Sequence, residues 1–243
     1  MLYSHQRYVM SSTRILAIDT STDACSVAIW NEGKIQTLSE LRPREHTQLI
    51  LPMVQQVLVD SGLLLNQLDV LAFSRGPGSF TGIRIGIGVA QGLALGVNLP
   101  ILGISTLQIM AQGAWRVSRA ERVLVAIDAR MRELYWAQFE RQKNGYWYEL
   151  KGEMVLSYAQ ALDCVHGLYG DWTYVGTGWQ KYPDLISESA VNIVDGQLLF
   201  PQAEDILPLA LLAWQQGLAL AVENAKPTYL RHSVAWKKLP GRL

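Results

Sequence analysis

Cysteine is scarce in this sequence, with only Cys25 and Cys164 among 243 residues. Two cysteines cannot form a disulfide framework, which excludes the small secreted proteins that depend on one and favours a reducing compartment. The first residues lack the apolar core of a signal peptide, and no apolar run reaches the roughly 18 residues of a membrane span. We therefore expect a cytoplasmic protein without a membrane segment.

An excess of charge of either sign is also absent. Lysine plus arginine and aspartate plus glutamate number 21 each, so the formal net charge is zero. Because nucleic-acid affinity comes mostly from neutralising phosphates, this chain by itself is expected to bind nucleic acid poorly. The residues are 49% hydrophobic, enough for the cores of one or two domains.

Glycine is abundant in the stretch from Leu71 to Gly96. The apolar run Val70–Phe73 predicts a buried strand, Gly76-Pro77-Gly78 ends it, and a helix follows that Ser79 or Thr81 can cap. The helix carries five glycines at spacings of four, namely Gly82 and Gly86, then Gly88, Gly92 and Gly96. Each destabilises a helix by roughly 1 kcal/mol relative to alanine, so the glycines indicate close approach of another backbone.

A glycine turn between a strand and a helix can also bind phosphate through free N–H groups. The match to known phosphate loops is poor here. No Lys-Ser or Lys-Thr follows the glycines, and Gly76-x-Gly78-x-x-Thr81 departs by one residue from the dinucleotide pattern. The pattern therefore favours a packing turn over a phosphate loop.

Residues 15–30 predict a β-hairpin, because two β-rich runs flank a turn of Asp, Thr and Ser. A third strand, 34–41, follows it. Asp19 ends the first strand of the hairpin. In sugar kinases, actin and the Hsp70 chaperones, such a hairpin with an early Asp holds phosphate and magnesium. For the hairpin taken alone, an ordinary turn aspartate is the favoured interpretation.

The next helix follows Pro43 and ends at Gly62. It carries one apolar stripe, formed by Leu49, Ile50, Met53, Val54, Val57 and Leu58. The stripe can face the chain's own sheet or a helix of another protein, and the sequence alone favours the former. Pro52 is expected near the first turn, where proline is tolerated. His46 is expected at the helix start or on the surface rather than in a catalytic site.

The second half of the sequence repeats the first. Val125-Ala-Ile-Asp128 matches Leu16-Ala-Ile-Asp19, and both precede a strand, a turn and another strand. A repeat of this long period predicts two related lobes. The predicted lobes are residues 14–117 and 118–222, with an N-terminal extension at 1–13 and a C-terminal tail at 223–243. Further elements are expected as strands at 100–104, 122–139 (a hairpin), 146–151 and 171–175, and helices at 105–117, 157–168 and 201–222.

This organisation predicts an α/β fold of two lobes, actin/Hsp70-like (ASKHA, ribonuclease H-like), with mixed sheets flanked by helices. In that superfamily the two hairpins face each other across a nucleotide cleft. The corresponding positions here are Asp19, Gly76, Gly78, Asp128, Gly176 and Gly178. The segment after Asp128, Ala-Arg-Met-Arg-Glu, offers phosphate no Gly or Thr, so this nucleotide site is expected to be vestigial.

Four segments carry a closer resemblance. They are Ile15-Leu-Ala-Ile-Asp-Thr-Ser-Thr, Arg44-Glu-His-Thr-Gln with Leu-Pro after it, Gly76-Pro-Gly-Ser-Phe-Thr-Gly-Ile-Arg, and Tyr229-Leu-Arg with Ala-Trp-Lys-Lys-Leu-Pro-Gly after it. Over residues 14–243 they resemble the TsaB (YeaZ) family in its gammaproteobacterial form. The resemblance implies a non-catalytic partner of TsaD. With the ATPase TsaE, these proteins move a threonylcarbamoyl group from threonylcarbamoyl-adenylate, made by TsaC, to adenosine 37 of tRNAs that read codons starting with A.

The resemblance also bears on sites. TsaD has two metal-binding histidines after its glycine helix, and the matching positions here hold Thr106 and Met110, which are poor ligands for such a metal. No metal, catalytic residue or nucleotide cofactor is therefore expected in this chain, and ATP is used by its partners. TsaD, or a second copy of the chain, is expected to pack on the two helices as a bundle, with tRNA bound through the complex. The implied interface residues are Leu49, Ile50, Met53, Val54, Val57, Gly82, Arg84, Ile85, Gly88, Val89 and Gly92.

Two other functions stay open on the sequence. An ATP-using enzyme of the actin-like superfamily is favoured by Asp19 and the glycine turns and opposed by the second hairpin. A glycoprotease-like hydrolase lacks a visible Ser/His/Asp set. The basic tail around Trp236 is expected to pack on a lobe, and the alternative is that it contacts tRNA phosphates.

Overall fold

The computed structural model describes residues 12–231, which form two sheets with helices around and between them. The first sheet contains β1 (Arg14–Asp19), β2 (Ala24–Asn31), β3 (Lys34–Leu41), β4 (Val70–Gly76) and β5 (Ile101–Ser105). Their order is β3-β2-β1-β4-β5. The pairs β1–β2 and β2–β3 are antiparallel, whereas β4 and β5 continue the sheet in parallel. The predicted hairpin and third strand are confirmed.

The second sheet repeats the first strand for strand. It contains β6 (Arg122–Asp128), β7 (Glu133–Arg141), β8 (Trp147–Ser157), β9 (Trp172–Val175) and β10 (Ile193–Asp195), in the order β8-β7-β6-β9-β10. Its first three strands are again antiparallel, and β9 and β10 again continue the sheet in parallel. The predicted internal repeat and two-lobed α/β fold are thus confirmed. The sequence prediction missed β10.

Seven α-helices accompany these strands within the described residues, six of them between strands and one after β10. They are α1 (His46–Ser61), α2 (Phe80–Val97), α3 (Thr106–Ser118), α4 (Tyr158–His166), α5 (Thr177–Lys181), α6 (Asp184–Ser187) and α7 (Ala203–Gln215). The Ser79 side chain accepts a hydrogen bond from the Gly82 N–H and caps α2, as predicted. Gly62 ends α1 in a left-handed conformation, also as predicted.

Three details of the predicted helices are wrong. The helix expected at 201–222 ends at Gln215, because the chain then turns and Leu220 pairs with Ile101 at the edge of the first sheet. Pro52 lies well inside α1 rather than near its first turn. The short helices α5 and α6 were not predicted.

The last helix of each half packs on the other half's sheet. α7 lies against β1, β2 and β4 of the first sheet, and α3 lies against β6, β7 and β9 of the second. The two helices also contact each other, and the Arg116 guanidinium on α3 forms two hydrogen bonds with the buried Asp205 carboxylate on α7. The boundary predicted at 117/118 therefore separates the two sequence repeats. It does not separate two independently packed cores, because one core joins both sheets through these helices.

Candidate partner-binding site

Asp19 is fully buried at the end of β1 and does not face an open cleft. Its Oδ1 accepts hydrogen bonds from the Ser21 hydroxyl, at 2.7 Å, and from the Ser21 N–H, at 3.3 Å. Its Oδ2 has no hydrogen-bond partner among residues 12–231. Burial raises the pKa of Asp19 to about 6, because the charged form loses its hydration.

The glycine turn closes directly over this hairpin. The Ser79 N–H donates a hydrogen bond to the Ser21 carbonyl at 2.7 Å, and the Thr20 hydroxyl donates one to the Gly82 carbonyl at 2.7 Å. A Cβ atom at Gly78 would collide with the Ser21 carbonyl, and one at Gly82 with the Thr20 carbonyl. The predicted packing turn is confirmed, because the chain's own backbone fills the space between turn and hairpin.

The second-lobe residues predicted for the nucleotide site form a separate group. Gly176 and Gly178 both pack against Ala126 on β6. The Asp128 N–H donates to the Thr177 hydroxyl at 3.1 Å, and the Asp128 Oδ1 accepts from the Arg130 N–H at 3.0 Å.

Gly76 completes the set of six predicted nucleotide-site residues. It lies against Ile83 and the Thr228 carbonyl in the first lobe. The structure therefore places these six residues in one packed group per lobe, and a vestigial site stays a prediction.

Metal-ligating side chains do not converge in the part of the chain that the structure describes. No group of three or more His, Cys, Asp or Glu residues there could hold a metal ion. Thr106 and Met110 are fully buried. His46 starts α1 as predicted, but it is buried rather than exposed, and its Nε2 donates to the Thr22 carbonyl at 2.9 Å.

The apolar stripe of α1 faces the chain's own first sheet. Ile50, Met53, Val54 and Val57 are all buried in a core with β1, β2 and β4, so the interpretation favoured by the sequence alone is confirmed. This corrects their assignment to a partner interface, because a partner cannot reach them in the folded lobe. Leu49 is half-buried at the edge of the same core.

Gly82 must be removed from the predicted interface as well, since it packs on Thr20. The remaining predicted interface residues on α2 stay accessible. Arg84, Gly88 and Gly92 are exposed, and Ile85 and Val89 are half-buried. Gly88 and Gly92, like Gly96, have no other atom within 4 Å of the place where a Cβ would lie.

The outer side of α2 is an exposed surface from which few side chains project. We define the α2 face as Arg84, Gly88, Gly92, Leu95 and Gly96, which helical spacing places on one side. Leu95 is 69% exposed, and the neighbouring α1 adds Leu51, which is 50% exposed, and Val59, which is 68% exposed. Sequence reasoning missed Leu51, Val59 and Leu95, although the residues opposite a buried stripe could have been listed from the helical period.

An aromatic cluster lies at the start of α2. The Arg84 guanidinium lies 3.3 Å from the Phe80 ring centroid and 5.0 Å from that of Tyr229. Phe80 is 66% exposed and Tyr229 is 43% exposed. Sequence reasoning missed Phe80. An aromatic residue at the first position of the predicted helix could have revealed it.

The segment after α7 returns to both lobes. The Thr228 N–H donates to the Arg75 carbonyl at 2.8 Å, and Arg231 forms an ion pair with Glu133 of the second lobe. Between them, Tyr229 lies against Phe80 and Arg84 of the first lobe. Trp236 and the basic residues near it lie outside the described residues, as do residues 1–11.

Helix α2 is long and apolar enough to cross a membrane by length and composition, with 18 residues and a mean hydropathy of 1.4. The expectation that no segment reaches this length is therefore wrong. However, Ile83, Ile87, Ala90 and Ala94 of this helix are buried in the core of the first lobe. This places one side of α2 inside the folded protein.

Comparison with known proteins identifies relatives over nearly the whole chain. The family model described as TsaD, tRNA N6-adenosine threonylcarbamoyltransferase, matches residues 38–239. The tRNA threonylcarbamoyladenosine biosynthesis protein TsaB of Escherichia coli is 57% identical over 229 residues, covering 94% of this chain and 99% of that protein. TsaB of Haemophilus influenzae is 44% identical over 241 residues, covering 96% of this chain and 100% of that protein.

A solved structure has a similar fold. YeaZ from Pseudomonas aeruginosa superimposes with a TM-score of 0.79 at 41% identity, covering 90% of this chain and 100% of that one. The described lobes, rather than short motifs alone, are thus common to this chain and its relative.

Proposed function

Since this chain belongs to the TsaB (YeaZ) family and takes part in tRNA threonylcarbamoyladenosine biosynthesis, we propose that it does so as a non-catalytic subunit that pairs with TsaD. The observation that carries this proposal is the exposed α2 face. Three glycines there leave the helix backbone uncovered, on a helix whose opposite side is anchored in the core. Such a surface lets a second helix approach closely and gain van der Waals contact along its length.

The closed hairpin supports the non-catalytic part of the proposal. A nucleotide-using enzyme of this fold needs free space for phosphate between the first hairpin and the glycine turn. Here Ser79 and Ser21 share a hydrogen bond across that space, and Asp19 is buried beneath it. Phosphate could enter only by separating the two backbones, so we propose that this chain uses no nucleotide of its own.

The rest of the complex follows from the family. We propose that TsaD supplies the transferase site for adenosine 37 of tRNAs reading codons that start with A, that the ATPase TsaE joins the pair, and that tRNA is bound through the complex in the cytoplasm. The chain's net charge of zero agrees with a supporting rather than a leading part in tRNA binding. A second copy can occupy the same α2 face in the absence of TsaD.

The interface can be tested by filling the glycine surface. Gly92→Leu should abolish co-elution with TsaD, because a leucine side chain holds the helices apart, and should abolish tRNA modification by the reconstituted complex. The variant should fold, since nothing lies within 4 Å of that position. Gly152→Leu, on the exposed part of β8, is the matched control. It should still co-elute with TsaD and support tRNA modification. Normal co-elution by folded Gly92→Leu would place the interface elsewhere.

The non-catalytic role has its own test. The isolated chain should not turn over ATP, and tRNA modification by TsaD and TsaE should depend on adding it. An ATPase rate that scales with the concentration of this chain and disappears in Asp19→Asn would contradict the proposal.

A further inference from the structure

We propose that the turn between β6 and β7 binds the phosphate backbone of tRNA while this chain is paired with TsaD. We define the arginine turn as residues 129–132, in which Arg130 and Arg132 carry the positive charge. The inference rests on the proposed function and deepens it, because it assigns part of the tRNA contact to named residues of this chain.

The arginine turn has an unusual backbone. Arg130, Met131 and Arg132 have positive φ angles of 61°, 51° and 61°. This left-handed conformation is unfavourable for residues that carry a Cβ, and tight hairpin turns that need it usually contain glycine or asparagine. Strain of this kind is typical of functional sites. Turn formation alone therefore does not explain two arginines at these positions.

The backbone of the arginine turn leaves hydrogen-bond donors free. The Arg130 N–H donates to the Asp128 Oδ1 at 3.0 Å, and the Glu133 N–H donates to the Arg130 carbonyl at 2.9 Å. Between them, the N–H groups of Met131 and Arg132 donate to no atom of residues 12–231. Successive free N–H groups in a tight turn form a concave site that suits an anion.

The side chains of the turn add two unpaired cations. Arg130 and Arg132 are exposed, and neither forms an ion pair in the part of the chain that the structure describes. Met131 between them is 69% exposed, so the outer side of the turn is open to solvent. A guanidinium binds phosphate through two parallel hydrogen bonds, which makes this arrangement of donors suitable for a phosphodiester.

The carboxylates of the turn do not cancel this charge. Glu133 is paired with Arg231, whose guanidinium also donates to the Ala129 carbonyl at 3.0 Å. Within residues 128–133, Asp128 is then the one carboxylate without an ion-pair partner, and it faces the two free arginines. The turn therefore keeps a local positive charge, although the formal net charge of the whole chain is zero.

The arginine turn also lies close to the surface proposed for TsaD. The Arg84 guanidinium of the α2 face lies 5.0 Å from the Tyr229 ring centroid, and Arg231 contacts the turn. Two residues of chain span at most about 7 Å, so one short segment holds the start of α2 and the turn together. An RNA bound by a partner on the α2 face can therefore extend over the turn.

RNA suits this site better than an acidic protein surface. Curated relatives of this chain act in tRNA threonylcarbamoyladenosine biosynthesis, so the complex must hold a tRNA. Folded RNA is recognised largely through its phosphates and its shape, and each phosphate offers acceptors only. The free groups of the arginine turn are all donors, which matches that chemistry.

Removing the two charges tests the proposal in the full complex with TsaD and TsaE. The double variant Arg130→Ser/Arg132→Ser should weaken binding of an unmodified tRNA about tenfold at about 0.1 M salt. The slope of log Kd against log salt concentration should also fall by about 1.5, because two phosphate contacts no longer release counterions. Arg119→Ser/Lys143→Ser is the matched control. It removes two exposed cations at the opposite end of β6 and β7 and should change neither value.

Folding and assembly are measured separately. The double variant should melt like the wild type and co-elute normally with TsaD and TsaE, because the two side chains form no ion pair within residues 12–231. Wild-type tRNA affinity and salt slope in a folded, co-eluting double variant would overturn this inference and leave the proposed function intact. Loss of TsaE with unchanged tRNA affinity would overturn it too, by assigning the turn to a protein partner.

Inorganic phosphate distinguishes an RNA contact from a site for a small anion. Adding about 10 mM phosphate at constant ionic strength should leave the tRNA affinity of the wild-type complex within about twofold, since screening is unchanged. A fall to the affinity of the double variant would identify the turn as a site for a free anion and would overturn the RNA contact.

Discussion

The two lobes have the same strand order but differ in what connects the fourth and fifth strands. In the first lobe, β4 and β5 are joined by α2, a helix of 18 residues with an exposed glycine face. In the second lobe, the corresponding connection between β9 and β10 consists of α5, with 5 residues, and α6, with 4 residues. Among residues 12–231, therefore, only the first lobe connects these strands through a long helix that is anchored on one side and exposed on the other.

The hairpin turns of the two lobes differ in a related way. The first turn is held down by α2, because Gly78 and Gly82 let the backbone approach Ser21 and Thr20. The second turn instead meets the Arg231 side chain, which donates a hydrogen bond to the Ala129 carbonyl at 3.0 Å, and it contains three consecutive residues with left-handed backbone, Arg130, Met131 and Arg132. The two lobes thus share a sheet but differ in this connection, and the first-lobe connection, α2, carries the surface proposed for partners.

The largest expected effect comes from opening the first-lobe turn. Gly82→Ala places a methyl group against the Thr20 carbonyl, so the helix or the hairpin must shift, and the free energy of unfolding should fall by about 3 kcal/mol. Gly88→Ala in the same helix meets no atom and should raise stability by up to about 1 kcal/mol. Urea unfolding of both variants measures this difference, and equal effects would contradict the closed turn.

The corresponding change in the second lobe should be smaller. A Cβ at Gly178 would lie 2.6 Å from the end of the Leu134 side chain and 2.9 Å from the Ala126 carbonyl oxygen. The leucine can move away, so Gly178→Ala should destabilise by about 2 kcal/mol in the same urea experiment. If it destabilises more than Gly82→Ala, the second turn is the tighter of the two.

A pH series should report on the buried aspartate of the first hairpin. The pKa of Asp19 is about 6 in the folded state and about 3.9 in the unfolded state. The folded state then binds the proton more tightly, so this contribution to stability is fully present below pH 4 and is lost as pH rises through 6. Relative to Asp19→Asn, the wild type should lose about 1.4 kcal/mol of unfolding free energy between pH 5 and pH 7.5. A pH dependence of unfolding that is the same in the wild type and in Asp19→Asn would contradict the burial of this carboxyl group.

The smallest expected effect concerns backbone strain in the second turn. A left-handed backbone at a non-glycine residue destabilises the folded protein by roughly 1–2 kcal/mol. Substitution by glycine removes this strain, but part of the stabilisation is lost because glycine makes the unfolded state more flexible. Met131→Gly should therefore stabilise the protein by about 0.5 kcal/mol in thermal or urea unfolding. Met131→Ala keeps the strain and removes the exposed side chain, so it should have little effect. A stabilisation by alanine equal to that by glycine would assign the effect to the side chain instead.

Much of the fold could be predicted from local pattern. The alternating and apolar runs of β1 and β6, their shared Ala-Ile-Asp ends and the glycine spacing of α2 all appear in contiguous sequence. The repeat then predicted the lobes. The missed elements, β10, α5 and α6, are 3 to 5 residues long, which is too short for a period to be visible.

The candidate site was predicted less well. The sequence placed Val54 and Gly92 in one interface, yet Val54 is buried in the core and Gly92 is exposed. A variant such as Val54→Asp would therefore disrupt the lobe before it reported on a partner. Periodicity marks which residues share a side of a helix, but it does not reveal which surface covers that side.

Nine of the ten strands, the long helices, the two hairpins and the family of this protein could be read from the sequence, because each depends on residues within a few turns of one another or on shared motifs. Tertiary structure alone decided that α3 and α7 exchange sheets, that the glycine turn seals the Asp19 hairpin, and that Tyr229 supports Arg84. These features join segments far apart in the chain. Their free energy comes from close packing and burial, which depend on three-dimensional neighbours that no local pattern records.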